Sequence, residues 1–148
     1  MTRYLGVDLG TKRVGVALSD PSGILASPLA TFAHRSLRED AAHVAGLCAA
    51  HGVERVVVGW PRNMDGSLGP AARQAEAFAA RLRADTGLSV ELWDERLSTV
   101  AADRAMIRGG VRREARREAR DRIAAAMVLQ SRLDALDAPR AERGSSDA

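Results

Sequence analysis

The sequence predicts an α/β fold: helices packed on one mixed sheet. Three observations point there. Near the start, two apolar runs flank a Gly10-Thr11-Lys12 turn, the pattern of a β-hairpin. Further on, Val56-Val57-Val58 is a continuous apolar run, as in a strand buried on both faces. From there, helix-period and strand-period segments alternate. The 148 residues, 46% of them hydrophobic, suffice for one well-buried domain.

Residues 3–8 and 14–19 read as the first two strands, with Asp8 at the last residue of the first. Pro28 to Ala33 reads as a third, short or at an edge, because proline cannot donate to a ladder. Ser36-Leu37-Arg38-Glu39 is a capping box that opens a helix. Its apolar face uses Leu37, Ala41, Val44 and Cys48, and Gly52 is placed to end it. After the strand at 56–58 comes a loop from Gly59 to Gly69. Pro70 suits the first turn of a helix carrying Ala75, Phe78, Ala79 and Leu82 on one side. Val90 to Trp93 reads as a strand ending at Asp94-Glu95. Ser98 is placed to cap a further helix that stops near Gly109-Gly110, and a last helix runs from beyond Arg112 to about Leu136. The expected organisation is one domain over 1–137 and a polar, flexible tail over 138–148.

The formal net charge is +3, and Lys12 is the only lysine among many arginines. A basic chain without a membrane signature fits a polyanionic partner. No apolar run approaches membrane-spanning length, and the N-terminus lacks a signal-peptide pattern. The single Cys48 cannot form an internal disulfide, so a cytoplasmic location is expected. His34, His43 and His51 show no zinc-ligand spacing with Cys48.

Three carboxylates carry the candidate chemistry. Asp8 closes the first strand, Glu95, with Asp94, ends the last, and Asp121 precedes the apolar run from Ile123 to Leu129. Asp8 reads equally as a metal ligand or as a turn cap. If the first and last strands are parallel neighbours, Asp8 and Glu95 project from one sheet end. A helix packed across that end would deliver Asp121. Clustered carboxylates repel, and hard Mg²⁺ or Mn²⁺ ions relieve that repulsion through oxygen ligands.

Asp8-Leu9-Gly10-Thr11-Lys12-Arg13-Val14-Gly15-Val16-Ala17 closely resembles the opening motif of the YqgF/RuvX family. The run from Gly59 to Ser67 resembles its second motif, and Asp94-Glu95-Arg96-Leu97-Ser98-Thr99 its third. Asp121-Arg122-Ile123-Ala124-Ala125-Ala126, with Leu129-Gln130, resembles the fourth. The resemblance implies an RNase H-like fold with a five-stranded sheet and a metal site at Asp8, Glu95 and Asp121. It also implies a nuclease that matures the end of pre-16S ribosomal RNA or resolves Holliday junctions. Trp60 departs from the family pattern, where a smaller aliphatic residue is usual.

Candidate nucleic-acid contacts are Lys12, Arg62, Asn63, Arg96, Arg112, Arg113, Arg116 and Arg117. Arg96 reads equally as a structural ion pair or a phosphate contact. Asn63 and Asp65 read as a hydrogen-bonded turn or as a loop flanking the site. Trp60 is placed either to stack a base or to cover the sheet edge. The expected partner is structured RNA, with branched DNA as the alternative substrate and a non-catalytic RNA-binding assembly factor as the alternative class. Symmetric junction cutting needs a two-fold dimer. No spare apolar stripe marks such a seam, so a monomer or weak homodimer is expected.

Overall fold

The structure is a computed structural model that describes residues 2–97 and 123–136. Its sheet has five strands: β1 (Tyr4–Leu9), β2 (Arg13–Ser19), β3 (Ala26–Ala33), β4 (Arg55–Trp60) and β5 (Ser89–Asp94). Their order is β3-β2-β1-β4-β5. The first three are antiparallel, and β4 and β5 run parallel to β1. The expected mixed sheet is therefore present, with one correction. β1 and β5 are not neighbours, because β4 lies between them.

Each element follows from local chemistry. The hairpin between β1 and β2 closes with Gly10 N–H donating to the Arg13 carbonyl at 2.8 Å. Asp8 is the penultimate residue of β1 rather than its last. β3 starts two residues before Pro28 and forms one edge of the sheet. Its register with β2 shifts between Val16 and Ala17, where Pro28 pairs with Ala17. An edge position and a bulge are where a strand tolerates a residue without an N–H.

Helix α1 (Leu37–His51) begins as expected: Ser36 Oγ accepts from Glu39 N–H at 3.1 Å. Helix α2 (Pro70–Thr86) starts on Pro70. Gly52 and Gly87 end the two helices at φ of 64° and 71°, a left-handed turn that suits glycine. Leu37 departs from expectation. It is 42% exposed, outside the buried stripe of Ala41, Val44 and Cys48.

The sheet has two covered faces. α1 and α2 pack on one, burying Leu5, Val7, Val14, Val16, Val56, Val58 and Val90 with Phe78 and Leu82. Residues 123–136 are helical (α3) and cover the other, where Tyr4, Ala17 and Val57 meet Ala125, Val128, Leu129 and Leu133. No helix among the described residues is long and apolar enough to cross a membrane. Ser98, Gly109-Gly110, the arginines from Arg104 to Arg120, Asp121 and the tail from 138 lie outside the described residues.

Candidate active site

Side chains alternate across a strand, so Asp8 shares a face with Tyr4 and Gly6, the face that α3 covers. Asp8 pairs with Gly15 of β2. On its other side Val7 pairs with Val58, which brings Gly59 of β4 level with Asp8. The carboxylate therefore stands between two residues without side chains.

Beyond β5 the chain turns through a 3₁₀ segment, Glu95–Leu97. The turn folds the Glu95 side chain back over Gly59. A Cβ on Gly59 would collide with Glu95 Oε1 and approach its Cδ to 3.0 Å. Strands lie about 4.8 Å apart, so crossing β4 requires reach from both flanking carboxylates. The bare backbone of Gly59 provides the passage, and Glu95 hydrogen-bonds Asp8 across it. The two carboxylates thus meet although their strands are not adjacent.

Glu95 holds its proton far above the usual range, up to about 9. Burial is the leading cause, followed by the hydrogen bond to Asp8 and the negative charges of Asp8 and Asp94. Its sequence neighbour behaves oppositely. Asp94 is held below the usual carboxylate range, chiefly by its hydrogen bonds from Arg96. Arg96 approaches Asp94 Oδ2 through Nε at 2.9 Å and Nη2 at 2.6 Å. The ion pair open in the sequence is therefore made with Asp94.

The loop after β4 is a braced turn. Asn63 Nδ2 donates to Ser67 Oγ at 2.9 Å, and Ser67 N–H to Asp65 Oδ1 at 2.9 Å. Arg62 donates to the Gly66 carbonyl through Nε at 3.1 Å and lies 4.8 Å above the Trp60 ring. Trp60 packs against the α1–α2 core, on the face opposite Asp8. Lys12 is exposed at the hairpin turn, its carbonyl accepting from His34 N–H at 2.9 Å.

α3 runs antiparallel to β1. Ala125 and Leu129 press on Gly6, where a Cβ would come within 2.8 Å of Leu129 Cβ. Gln130 reaches the other end of the sheet, accepting from Ala26 N–H and donating to the Ile24 carbonyl, both at 2.9 Å. The residue-123 end of α3 is thus directed toward Asp8 and Glu95. Among the described residues no group of three or more potential metal ligands forms. Asp121, Arg112, Arg113, Arg116 and Arg117 lie outside the described residues.

Two contributors escaped the sequence reading: Gly59 as the passage for Glu95, and Gly15 as the bare neighbour of Asp8. A glycine inside a strand pattern is the signal that would have found them, since it marks a close approach.

Residues 2–135 match the family model RuvX, described as a Holliday junction resolvase. The chain belongs to the RuvX family. A relative from Geobacillus kaustophilus, named "Putative pre-16S rRNA nuclease", is 50% identical over 134 residues, spanning 89% of this chain and 97% of its own. One of the same name from Myxococcus xanthus is 49% identical over 133 residues, spanning 90% and 88%. Among solved structures, Thermus thermophilus RuvC bound to a Holliday junction superposes with a TM-score of 0.57 at 17% identity, covering 91% of this chain and 95% of that one. That likeness establishes the RNase H-like fold of this RuvX protein.

Proposed function

We propose that this chain is a divalent-metal-dependent nuclease that hydrolyses phosphodiester bonds in structured RNA, at the end of pre-16S ribosomal RNA. The observation that carries the reading is the convergence of Asp8 and Glu95 over Gly59. Two carboxylates held together at the cost of a raised Glu95 pKa form a poor structural pair and a good hard-cation site. Asp8 and Glu95 would hold Mg²⁺ or Mn²⁺, with Asp121 as the third ligand. Such ions, when bound, activate water and steady the leaving oxygen.

The chain's own residues then have distinct tasks. Glu95, whose proton Asp8 now shares, would be the carboxyl that must ionise for the pair to hold a cation. Asp94 keeps Arg96 beside the site through its two-point pair. Lys12, Arg62, Asn63, Arg96 and the group Arg112, Arg113, Arg116 and Arg117 would meet the phosphate backbone. One site suffices for cutting a single strand, which favours RNA processing over symmetric junction cleavage.

The test is cleavage by purified protein with Mg²⁺ or Mn²⁺ of a pre-16S RNA fragment and, in parallel, of a four-way DNA junction. Trimming of the RNA by the wild type and its loss in Asp8→Asn are expected. Paired incisions in the junction with intact RNA would establish the resolvase reading instead. Full activity of Asp8→Asn would overturn both.

A further inference from the structure

A second feature lies at the same end of the sheet, on the opposite face. Leu9 follows Asp8 in β1 and so faces α1 and α2. Beside it is a cavity of about 220 Å³ lined by Leu9, Leu37, Phe78, Gln74, His34 and Asp40. Phe78 is 1% exposed and Leu37 is 42% exposed.

One edge of the cavity is fixed by a buried carboxylate. Asp40 is 3% exposed. Its Oδ2 meets His34 Nδ1 at 2.5 Å, and its Oδ1 accepts from Arg35 N–H at 3.1 Å. Asp40 therefore fixes one nitrogen of the imidazole and leaves Nε2 for another partner. Gln74 adds an amide with both donor and acceptor capacity. None of these lining residues is lysine or arginine, and Asp40 is acidic, so the cavity does not suit a free phosphate.

Apolar walls with a few polar groups at one edge match a flat heteroaromatic ring carrying donors and acceptors. We propose that this cavity receives one unpaired nucleobase of the strand that lies across Asp8 and Glu95. The inference rests on the nuclease reading above. The ridge between the two features is the hairpin at Gly10, which also lines the cavity. A Cβ there would come within 2.7 Å of the Arg13 carbonyl oxygen, so this ridge carries no side chain. A strand crossing it presents a phosphate to the carboxylate face while a neighbouring base drops to the other. The cavity then sets where the strand stops relative to the cut, and it requires that nucleotide to be unpaired.

The test uses the full chain carrying Asp8→Asn, so that binding is read without cleavage. His34 imidazole and Gln74 side-chain amide NMR signals are followed during titration with each of the four ribonucleoside 5′-monophosphates and with ribose 5-phosphate. Shifts with at least one nucleotide, absent with ribose 5-phosphate and lost in Gln74→Ala, are expected. A single abasic position walked along a short RNA should weaken binding about tenfold at one site only. Gln74→Ala and, separately, Leu37→Ser should remove that difference; both residues are exposed, so both variants should fold. Equal shifts with ribose 5-phosphate, no shifts at all, or an abasic scan without a sensitive position would overturn the proposal. Base binding by a protein whose wild type cuts no nucleic acid would overturn the nuclease reading alone. Cleavage without these shifts would overturn the base site alone.

Discussion

The α1–α2 face of the sheet is built of branched aliphatic residues: Leu5, Val7, Val14, Val16, Val56, Val58 and Val90 are all buried there. The α3 face carries Tyr4, Ala17 and Val57, interrupted by Gly6, Gly15 and Gly59, and it carries Asp8. One face excludes water with bulk. The other removes side chains so that a helix and a second carboxylate can come close. The difference teaches that strand parity divides β1: Leu5, Val7 and Leu9 face the aliphatic core, while Tyr4, Gly6 and Asp8 face α3 and the candidate site.

The largest expected effect is on the glycine-rich face. Asp8→Asn and Glu95→Gln should each lower cleavage by about 10³-fold or more, the scale of lost metal-based charge stabilisation. Stability should move the other way in Glu95→Gln. The Glu95 carboxyl titrates near its ordinary value of 4.5 when unfolded and is pushed up to about 9 when folded. The folded state then binds the proton more tightly, so the contribution of Glu95 to metal-free stability is fully present below pH 4.5 and is lost as pH rises toward 9. Glu95→Gln should flatten that decline, and its melting temperature near pH 8 without divalent ions should exceed that of the wild type. Thermal melts from pH 5 to pH 9 with a chelator check this. A decline of equal size in the variant would show that the pair is not the source.

On the aliphatic face the consequence should reverse. Leu82→Ala truncates a fully buried side chain of the same core and should cost about 2–5 kcal/mol. Urea titration gives the loss, and activity per folded molecule should stay close to wild type. Next in size is Gly59→Ala, which adds a single methyl against Glu95. Overpacking of this kind costs about 1–3 kcal/mol. Cleavage should fall much further than stability, because Glu95 must move to admit the methyl. Proportionate losses would mean that Gly59 is ordinary strand backbone.

Much of this was legible because the signals are local. Ser36 three residues before Glu39, Pro70 at a helix start and Val56-Val57-Val58 each report on a few neighbouring residues, and each element stands where the pattern put it. Strand order is a different kind of fact. Nothing within β1 or β5 says that β4 will lie between them, so the route by which Asp8 meets Glu95 was misjudged although the meeting was expected. Gly59 acts through a missing side chain, which leaves no periodicity to read. Arg96 directly follows two carboxylates, Asp94 and Glu95. Only the turn at Glu95–Leu97 decides which carboxylate it takes.

The smallest effects give the sharpest comparison, because they can be matched in size across the two faces. Thr86→Ala removes the hydroxyl that donates to the Leu82 carbonyl and accepts from Leu88 N–H, and should cost about 1 kcal/mol. Gln130→Ala removes the side chain that ties α3 to Ala26 and Ile24 at the β3 edge, a loss of similar order, about 1–3 kcal/mol. That hydroxyl lies at the end of α2, on the aliphatic face. The clamp sets the position of the helix that leads toward Asp8 and Glu95. If the faces divide labour, Thr86→Ala should leave cleavage near wild type under conditions where both variants are fully folded. Gln130→Ala should reduce cleavage several-fold, and Asp134, which also accepts from Gln130 at 2.9 Å, offers an independent way to loosen the same clamp. Equal activity in the two variants, at matched stability measured by urea titration, would show that the placement of α3 does not govern the site.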